Sequence, residues 1–141
     1  MKKTTLLSAL LALMILANAG PASGQVNRFK GEWNNPDPEA HGLVKLQIDI
    51  HRGTIMVHAW SACPGEPCDL GSSQGHPIVT MHWWNDTPNT LLVDYQLTFA
   101  EEVLVIELKK NALFATTFTH FTDDSQRTDY VDHVFFQRYL W

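Results

Sequence analysis

Residues 43–71 read LVKLQIDIHRGTIMVHAWSACPGEPCDLG, and this stretch decides the fold that the sequence predicts. Two runs of alternating apolar and polar residues flank Arg52-Gly53, where the glycine supplies the positive φ that a tight hairpin turn needs. A turn there places His51 opposite Thr54, and every further pair follows by counting outward. One face of the predicted hairpin is then apolar throughout: Val44, Leu46, Ile48, Ile50, Ile55, Val57 and Ala59.

The first 24 residues predict a secretory signal peptide. Lys2 and Lys3 precede a short apolar core, and small residues follow, so cleavage is expected after Ala19 or after Gly24. The apolar core is shorter than the about 20 residues of a membrane span, so no membrane span is predicted. Residues 25–141 are predicted to form a single domain. The compact leader indicates a bacterial protein that is secreted or periplasmic.

The charge of the predicted mature chain excludes a nucleic-acid partner. The leader carries two of the ten basic residues and none of the 15 acidic ones, so its removal leaves a net charge of −7. A phosphate-binding surface needs the opposite sign.

In an exported chain, Cys63 and Cys68 are predicted to form a local disulfide.

Eight strand-like runs with short connections predict an all-β fold. We expect an antiparallel up-and-down β-barrel of about eight strands, because closure removes exposed edges; a β-sandwich is the alternative. The predicted strands are residues 29–34, the two runs of the hairpin around Arg52-Gly53, and residues 78–84, 91–99, 102–109, 113–122 and 130–139.

A second hairpin is expected about Ala100-Glu101. This turn would place Asp94 beside Glu107, a like-charge pair that is tolerable only in solvent. Apolar residues would again share one face, which aligns Leu91, Val93, Tyr95, Leu97 and Phe99 with Leu104, Ile106 and Leu108.

A surface patch is predicted on the outer face of the barrel. If the third strand pairs with the predicted strand 78–84, His58 lies opposite Trp84 and Trp60 lies opposite His82, with Gln47 beside them. The patch is interpreted as an oligomer or partner interface, as an aromatic platform for a sugar, or as a two-histidine metal site. Two histidines fall short of the three ligands of a catalytic zinc site, so no metal is predicted.

The inner face predicts either a packed core or a small cavity at the barrel mouth. Ligand-binding residues are predicted there: Trp33, Tyr95, Trp83 and Phe99. The sequence contains none of the common hydrolase, zinc-protease or phosphate-loop motifs. No catalytic residue, no enzyme activity and no cofactor are therefore predicted.

Gly31-Glu32-Trp33 near the mature N-terminus and Arg138 in the last strand resemble the calycin barrels, the lipocalin and avidin group. In that family a late arginine packs across the tryptophan ring at one end of the barrel, so the resemblance implies structural roles for Gly31, Trp33 and Arg138. Residues 29–33 and the Cys-x4-Cys-Asp-x-Gly loop at residues 63–71 are also similar to small uncharacterised secreted bacterial proteins. That second resemblance implies no activity.

These features together predict a secreted, non-catalytic binding protein. We expect it to bind a small, partly apolar ligand reversibly at the barrel mouth. The alternative is an inhibitor-like interaction module, or a homo-oligomer, that uses the Trp/His face toward a secreted protein. Carbohydrate binding is the third hypothesis.

Overall fold

The computed structural model describes residues 22–79 and 88–138, which form a closed eight-stranded antiparallel barrel in which each strand pairs with the next and β1 pairs with β8. A short helix, α1 (Ala22–Val26), and a 3-10 turn (Asn27–Phe29) precede it. The closed order of antiparallel strands confirms the prediction of an up-and-down barrel. The strands are β1 (Gly31–Asn34), β2 (Leu43–His51), β3 (Thr54–Ser61), β4 (Cys68–Ile78), β5 (Thr90–Gln96), β6 (Ala100–Lys109), β7 (Ala112–Phe121) and β8 (Tyr130–Arg138).

The β2–β3 hairpin has the predicted register, with His51 opposite Thr54. Arg52 and Gly53 both have positive φ, 50° and 83°, as a tight hairpin turn that follows the strand twist requires. A β-bulge lies between Leu43 and Lys45. The bulge corrects one expectation, because it turns Leu43 into the core in place of Val44, which is only half-buried.

The prediction for the fourth strand is wrong. β4 is Cys68–Ile78 rather than residues 78–84, of which residues 80–84 lie outside the described residues. β4 reads CDLGSSQGHPI and is poor in the β-branched and aromatic residues that favour strands. Its conformation therefore depends on the hydrogen-bonded neighbours on both sides, β3 and β5.

The predicted register of the β5–β6 hairpin is also wrong. Leu97 N–H donates to the Ala100 carbonyl oxygen at 2.8 Å, so the turn lies at Thr98-Phe99 rather than at residues 100–101. The shift is an even number of positions, so the faces are unchanged although the partners differ. Asp94 lies opposite Val103, and the predicted Asp94–Glu107 pair is absent.

One end of the barrel, here called the Trp33 end, is closed by a buried aromatic cluster. The Trp33 indole N–H donates to the Phe29 carbonyl oxygen at 2.8 Å, and the Arg138 guanidinium carbon lies 4.4 Å from the Trp33 ring centroid. The expected contact between Arg138 and Trp33 is therefore present. Gly31, at φ 136°, lies beside the same guanidinium, and a Cβ there would be 4.0 Å from it.

The interior changes character along the barrel axis. Nearer the Trp33 end, one row of inward-facing residues across β5 to β8 is entirely aliphatic: Leu91, Ile106, Ala115 and Val134. The two rows toward the opposite end, here called the polar end, contain acids and hydroxyls. These rows are Val93–Leu104–Thr117–Asp132 and Tyr95–Glu102–Thr119–Tyr130.

The Cys63–Cys68 disulfide is present, as predicted, and joins the loop after β3 to the first residue of β4. Among the residues described, no helix is both long and apolar enough to pass through a membrane. Most of the predicted signal peptide lies outside the described residues.

Candidate ligand site

The polar end contains a cavity of about 170 Å3, here called the mouth pocket. It lies where the loops after β1, β3 and β7 and the β5–β6 turn converge. Its volume is below the about 300–1,000 Å3 of sites for drug-sized ligands, so it suits a molecule of about one substituted ring. The lining includes His41, Gly42, Leu43, Ser61, Leu70, Phe99, Glu102, Thr117, Thr119, Phe121, Arg127, Tyr130 and Asp132.

Three polar side chains in the mouth pocket are buried. Glu102, Thr117 and Thr119 are 8%, 4% and 3% exposed. The hydroxyl oxygens of Thr117 and Thr119 have no hydrogen-bond partner among the described residues. Leaving a buried polar group unpaired costs about 1–3 kcal/mol, so two neighbouring ones indicate that this lining is not optimised for stability alone.

Burial raises the pKa of the Glu102 carboxyl above its usual range. The Thr119 hydroxyl lies directly across the strand pair and partly opposes this rise, although its oxygen has no hydrogen-bond partner among the described residues. Burial, and secondarily the charge of Glu102, also raises the pKa of Tyr95. The Tyr95 hydroxyl donates to the Val57 carbonyl oxygen at 2.6 Å, so it is not available to Glu102.

The rim of the mouth pocket holds a cation between aromatic rings. The Arg127 guanidinium carbon lies 4.0 Å from the Phe121 ring centroid and 5.3 Å from that of Phe99. The same guanidinium donates to Oδ2 of Asp123 at 2.6 Å. Arg127 is thereby tied to its own loop, and its charge is offset at the rim. The Tyr130 ring completes the aromatic group, 6.0 Å from that of Phe121.

Asp132 contributes a second carboxylate to the mouth pocket. Its Oδ1 accepts from the His133 backbone N–H at 2.8 Å, and its Oδ2 lies against Gly42. A Cβ on residue 42 would collide with Oδ2. Glycine at this position therefore leaves room for the Asp132 carboxylate in the pocket.

The predicted ligand-binding residues are distributed over both ends of the barrel. Phe99 lies on the rim of the mouth pocket, whereas Trp33 lies at the other end, where it is 1% exposed. Tyr95 is in the core next to Glu102. Trp83 lies outside the described residues.

The outer patch forms around different partners from those predicted. His58 lies opposite Ser72 and Trp60 opposite Asp69, because β4 is the neighbour of β3; the expected pairing with His82 and Trp84 is wrong. Gln47 lies opposite His58, as predicted, while His82 and Trp84 lie outside the described residues. The Trp60 and His58 rings are stacked, with their centroids 4.0 Å apart, and Lys45 Nζ lies 5.0 Å from the centroid of the Trp60 ring.

A Ser–His–Asp chain runs through this patch. His58 Nε2 lies 2.5 Å from Oδ1 of Asp69, and His58 Nδ1 lies 3.0 Å from the Ser72 hydroxyl oxygen. Asp69 also accepts the Gly71 backbone N–H at 2.7 Å, and both this hydrogen bond and the one from His58 lower the Asp69 pKa. The chain stands on the convex outer surface, whereas nucleophilic catalysis also needs oxyanion donors around a held substrate. We interpret it as a contact that fixes β4 on β3.

A larger cleft, of about 1010 Å3, lies at the Trp33 end between Arg28, Lys110, Phe114 and Arg138. Both of its guanidinium groups already donate to backbone carbonyl oxygens. Arg28 donates to the Lys110 carbonyl oxygen at 2.8 Å, and Arg138 donates to that of Arg28. Arg138 is also the last described residue on this side. The mouth pocket, with its unpaired buried groups, is therefore the better candidate site.

Sequence reasoning missed Glu102, Thr117 and Thr119. A signal for them existed, because the alternation that places Leu104 and Ile106 inside also places Glu102 inside. The same alternation on β7 continues from Leu113 and Ala115 to Thr117 and Thr119. Polar residues at the end of an apolar series mark the point where the interior becomes a binding surface.

Among the described residues, no group of three or more His, Cys, Asp or Glu side chains is placed to hold a metal ion. Comparison of the chain with protein families, with curated proteins and with solved structures finds no match.

Proposed function

We propose that this protein is a secreted binding protein that takes up a small, partly apolar molecule at the polar end of its barrel. The observation that carries the proposal is the pair of buried Thr117 and Thr119 hydroxyls in the mouth pocket, which have no hydrogen-bond partner among residues 22–79 and 88–138. Buried polar groups are almost always paired in native proteins. A ligand that bonds to these hydroxyls would satisfy them, while the aromatic rim covers its apolar part.

Secretion is part of this proposal and is supported by two features. The leader has the pattern of a signal peptide, and the Cys63–Cys68 disulfide suits an oxidising compartment. A binding protein outside the cytoplasm needs no catalytic group.

The proposal is tested by ligand-detected NMR with a panel of molecules no larger than benzyl alcohol. Members of the panel are expected to bind and to compete for one site. They should not bind to Ser61→Phe, because the added ring fills the mouth pocket from β3. Gln74→Phe, exposed on the outer face of β4 opposite Met56, is the matched control and retains binding. Equal binding by both variants, or no binding to the native protein, contradicts the proposal.

A second candidate function, self-association, is supported by the outer face of β7 and β8. Phe118 and Val131 are cross-strand partners and are 46% and 52% exposed, and Phe114 is exposed on the same face. Apolar patches of this kind commonly mark contact surfaces. Sedimentation should show a dimer of this chain that Phe118→Ser dissociates and Met56→Ser, an exposed change on β3, leaves intact. A native monomer contradicts it.

A further inference from the structure

Several oxygen atoms that accept hydrogen bonds line the mouth pocket. Two carboxyl groups line it, those of Glu102 and Asp132, together with the Thr117 and Thr119 hydroxyl oxygens. The positive charge of Arg127 is bound to Asp123 at 2.6 Å. The other ionisable side chains of the pocket lining are His41 and Tyr130. Two carboxyl groups, next to buried hydroxyls that have no hydrogen-bond partner among the described residues, favour a ligand that donates hydrogen bonds and carries positive charge.

The rim is also suited to a cation. Phe121 and Phe99 already present their ring faces to the Arg127 guanidinium, at 4.0 and 5.3 Å. Ring faces carry negative electrostatic potential and attract organic cations. Because Tyr130 extends this aromatic group, it would cover the apolar part of an amine whose charged end points inward.

We propose that the mouth pocket binds a small organic ammonium ion, whose N–H groups donate to Glu102, Asp132 and the hydroxyl oxygens of Thr117 and Thr119. This inference rests on the proposed function of the same pocket. It narrows the ligand from any small molecule to a primary or secondary amine of about one ring in size.

Binding of an ammonium ion is coupled to ionisation of Glu102. In the empty pocket, burial favours the neutral carboxyl, and a cation beside it favours the carboxylate. The groups that face Glu102 are Tyr95 on β5, Thr119 on β7, Tyr130 and Asp132 on β8, and Arg127 and His41 from the loops. Affinity should therefore fall as pH falls through the range in which Glu102 takes up a proton.

The test compares three molecules of similar size by isothermal calorimetry: benzylammonium, benzyl alcohol and benzoate. Benzylammonium should bind more than about tenfold more tightly than benzyl alcohol, since a hydrogen bond to a charged group is worth about 1.5–3 kcal/mol. Glu102→Gln should abolish this preference and its pH dependence. Glu101→Gln, an exposed neighbour on β6, is the matched control and keeps both.

The outcomes separate this inference from the proposed function. If benzyl alcohol or benzoate binds as tightly as benzylammonium and Ser61→Phe removes that binding, the ammonium inference is wrong and the proposed function stands. Absence of binding by all three molecules also overturns the inference, and the NMR panel then decides the proposed function separately. Retention of the preference in Glu102→Gln contradicts the role of Glu102.

Discussion

Glu102 and Thr119 lie directly opposite each other on the inner face of the barrel, and each is more than nine-tenths buried. An aliphatic pair at these positions would continue the packing of the rows nearer the Trp33 end. The barrel instead keeps at its polar end a carboxyl group and a hydroxyl that has no hydrogen-bond partner within the described part of the chain. Retention of groups that weaken a fold is typical of a binding surface, because function and stability compete there.

Thr117→Val and Thr119→Val should each raise the free energy of unfolding by about 1 kcal/mol, because each removes an unpaired buried hydroxyl with little change of shape. Urea denaturation measures this. The matched control is Thr116→Val on the outer face, which loses a contact to His133 Nδ1 at 3.1 Å and should be neutral or slightly destabilising. A loss of stability in both inward variants would show that their hydroxyls are paired.

Glu102→Gln should be more stable than the native protein at neutral pH, with a difference that shrinks as pH falls. Burial raises the folded-state pKa of Glu102 above the unfolded value. The folded state therefore holds the proton more strongly, and stability declines as pH rises from the unfolded pKa through the folded one. Denaturation of both proteins from about pH 4 to about pH 8 tests this. A difference in unfolding free energy that grows as pH falls would contradict this prediction.

Arg138→Ala should lower the free energy of unfolding by about 0.5–2 kcal/mol, the range of a cation–π contact. The change removes the guanidinium from the Trp33 ring and its hydrogen bond to the Arg28 carbonyl oxygen. Indole fluorescence should report greater exposure of Trp33. Gln137→Ala, the exposed neighbour on β8, serves as the control and should change neither measurement.

The His120 imidazole should titrate above its ordinary pKa, and Asp129→Asn should return it toward that value. The Asp129 carboxylate, 2.7 Å from His120 Nδ1, raises the His120 pKa by hydrogen bonding and by its charge. A raised histidine pKa contributes stability below the unfolded pKa, and that contribution is lost as pH rises through the folded one. NMR titration checks the shift. Unchanged titration in Asp129→Asn would mean that the pair does not form in solution.

Reduction of the Cys63–Cys68 disulfide should lower the free energy of unfolding by about 2 kcal/mol, the low end expected for a short loop. The effect should also be local, since Cys68 precedes Asp69, which holds His58. The His58 ring signals in NMR should change on reduction, whereas those of His133 on β8 should not. Equal changes at both histidines would indicate a general loosening of the barrel.

The strands that sequence reasoning placed correctly are those with strict alternation and a clear turn. The hairpin around Arg52-Gly53 is the best example, because a shift of one residue would bury Lys45 and Gln47. The sequence does not distinguish two positions for the turn before β6. A turn at Thr98-Phe99 and a turn at Ala100-Glu101 place the same residues on each face of the hairpin. Only packing against the neighbouring strands distinguishes those two registers.

β4 could not be found from local sequence, because its strand conformation is imposed by its neighbours. Gly71, Gly75 and Pro77 are residues that sequence rules assign to loops. Gly75 shows the reason for one of them: a Cβ there would approach Ile55 and Val57 at 3.2–3.3 Å. The site was missed for a related reason, since hydrophobic patterning looks for apolar residues and Glu102 and Thr119 are polar at inward positions.

Among the described residues, the β1–β8 pairing joins the first and last strands of the barrel through few residues. Within the described residues, two pairs form this ladder: Trp33 with Arg138 and Asn34 with Gln137. Cooperative opening begins where the fewest backbone hydrogen bonds must break. We therefore expect the barrel to open first between β1 and β8, where the Arg138 side chain packs over the Trp33 ring. Amide protons of β1 should exchange with solvent before those of the β6–β7 pair. That order of exchange would show that unfolding starts at the β1–β8 pairing.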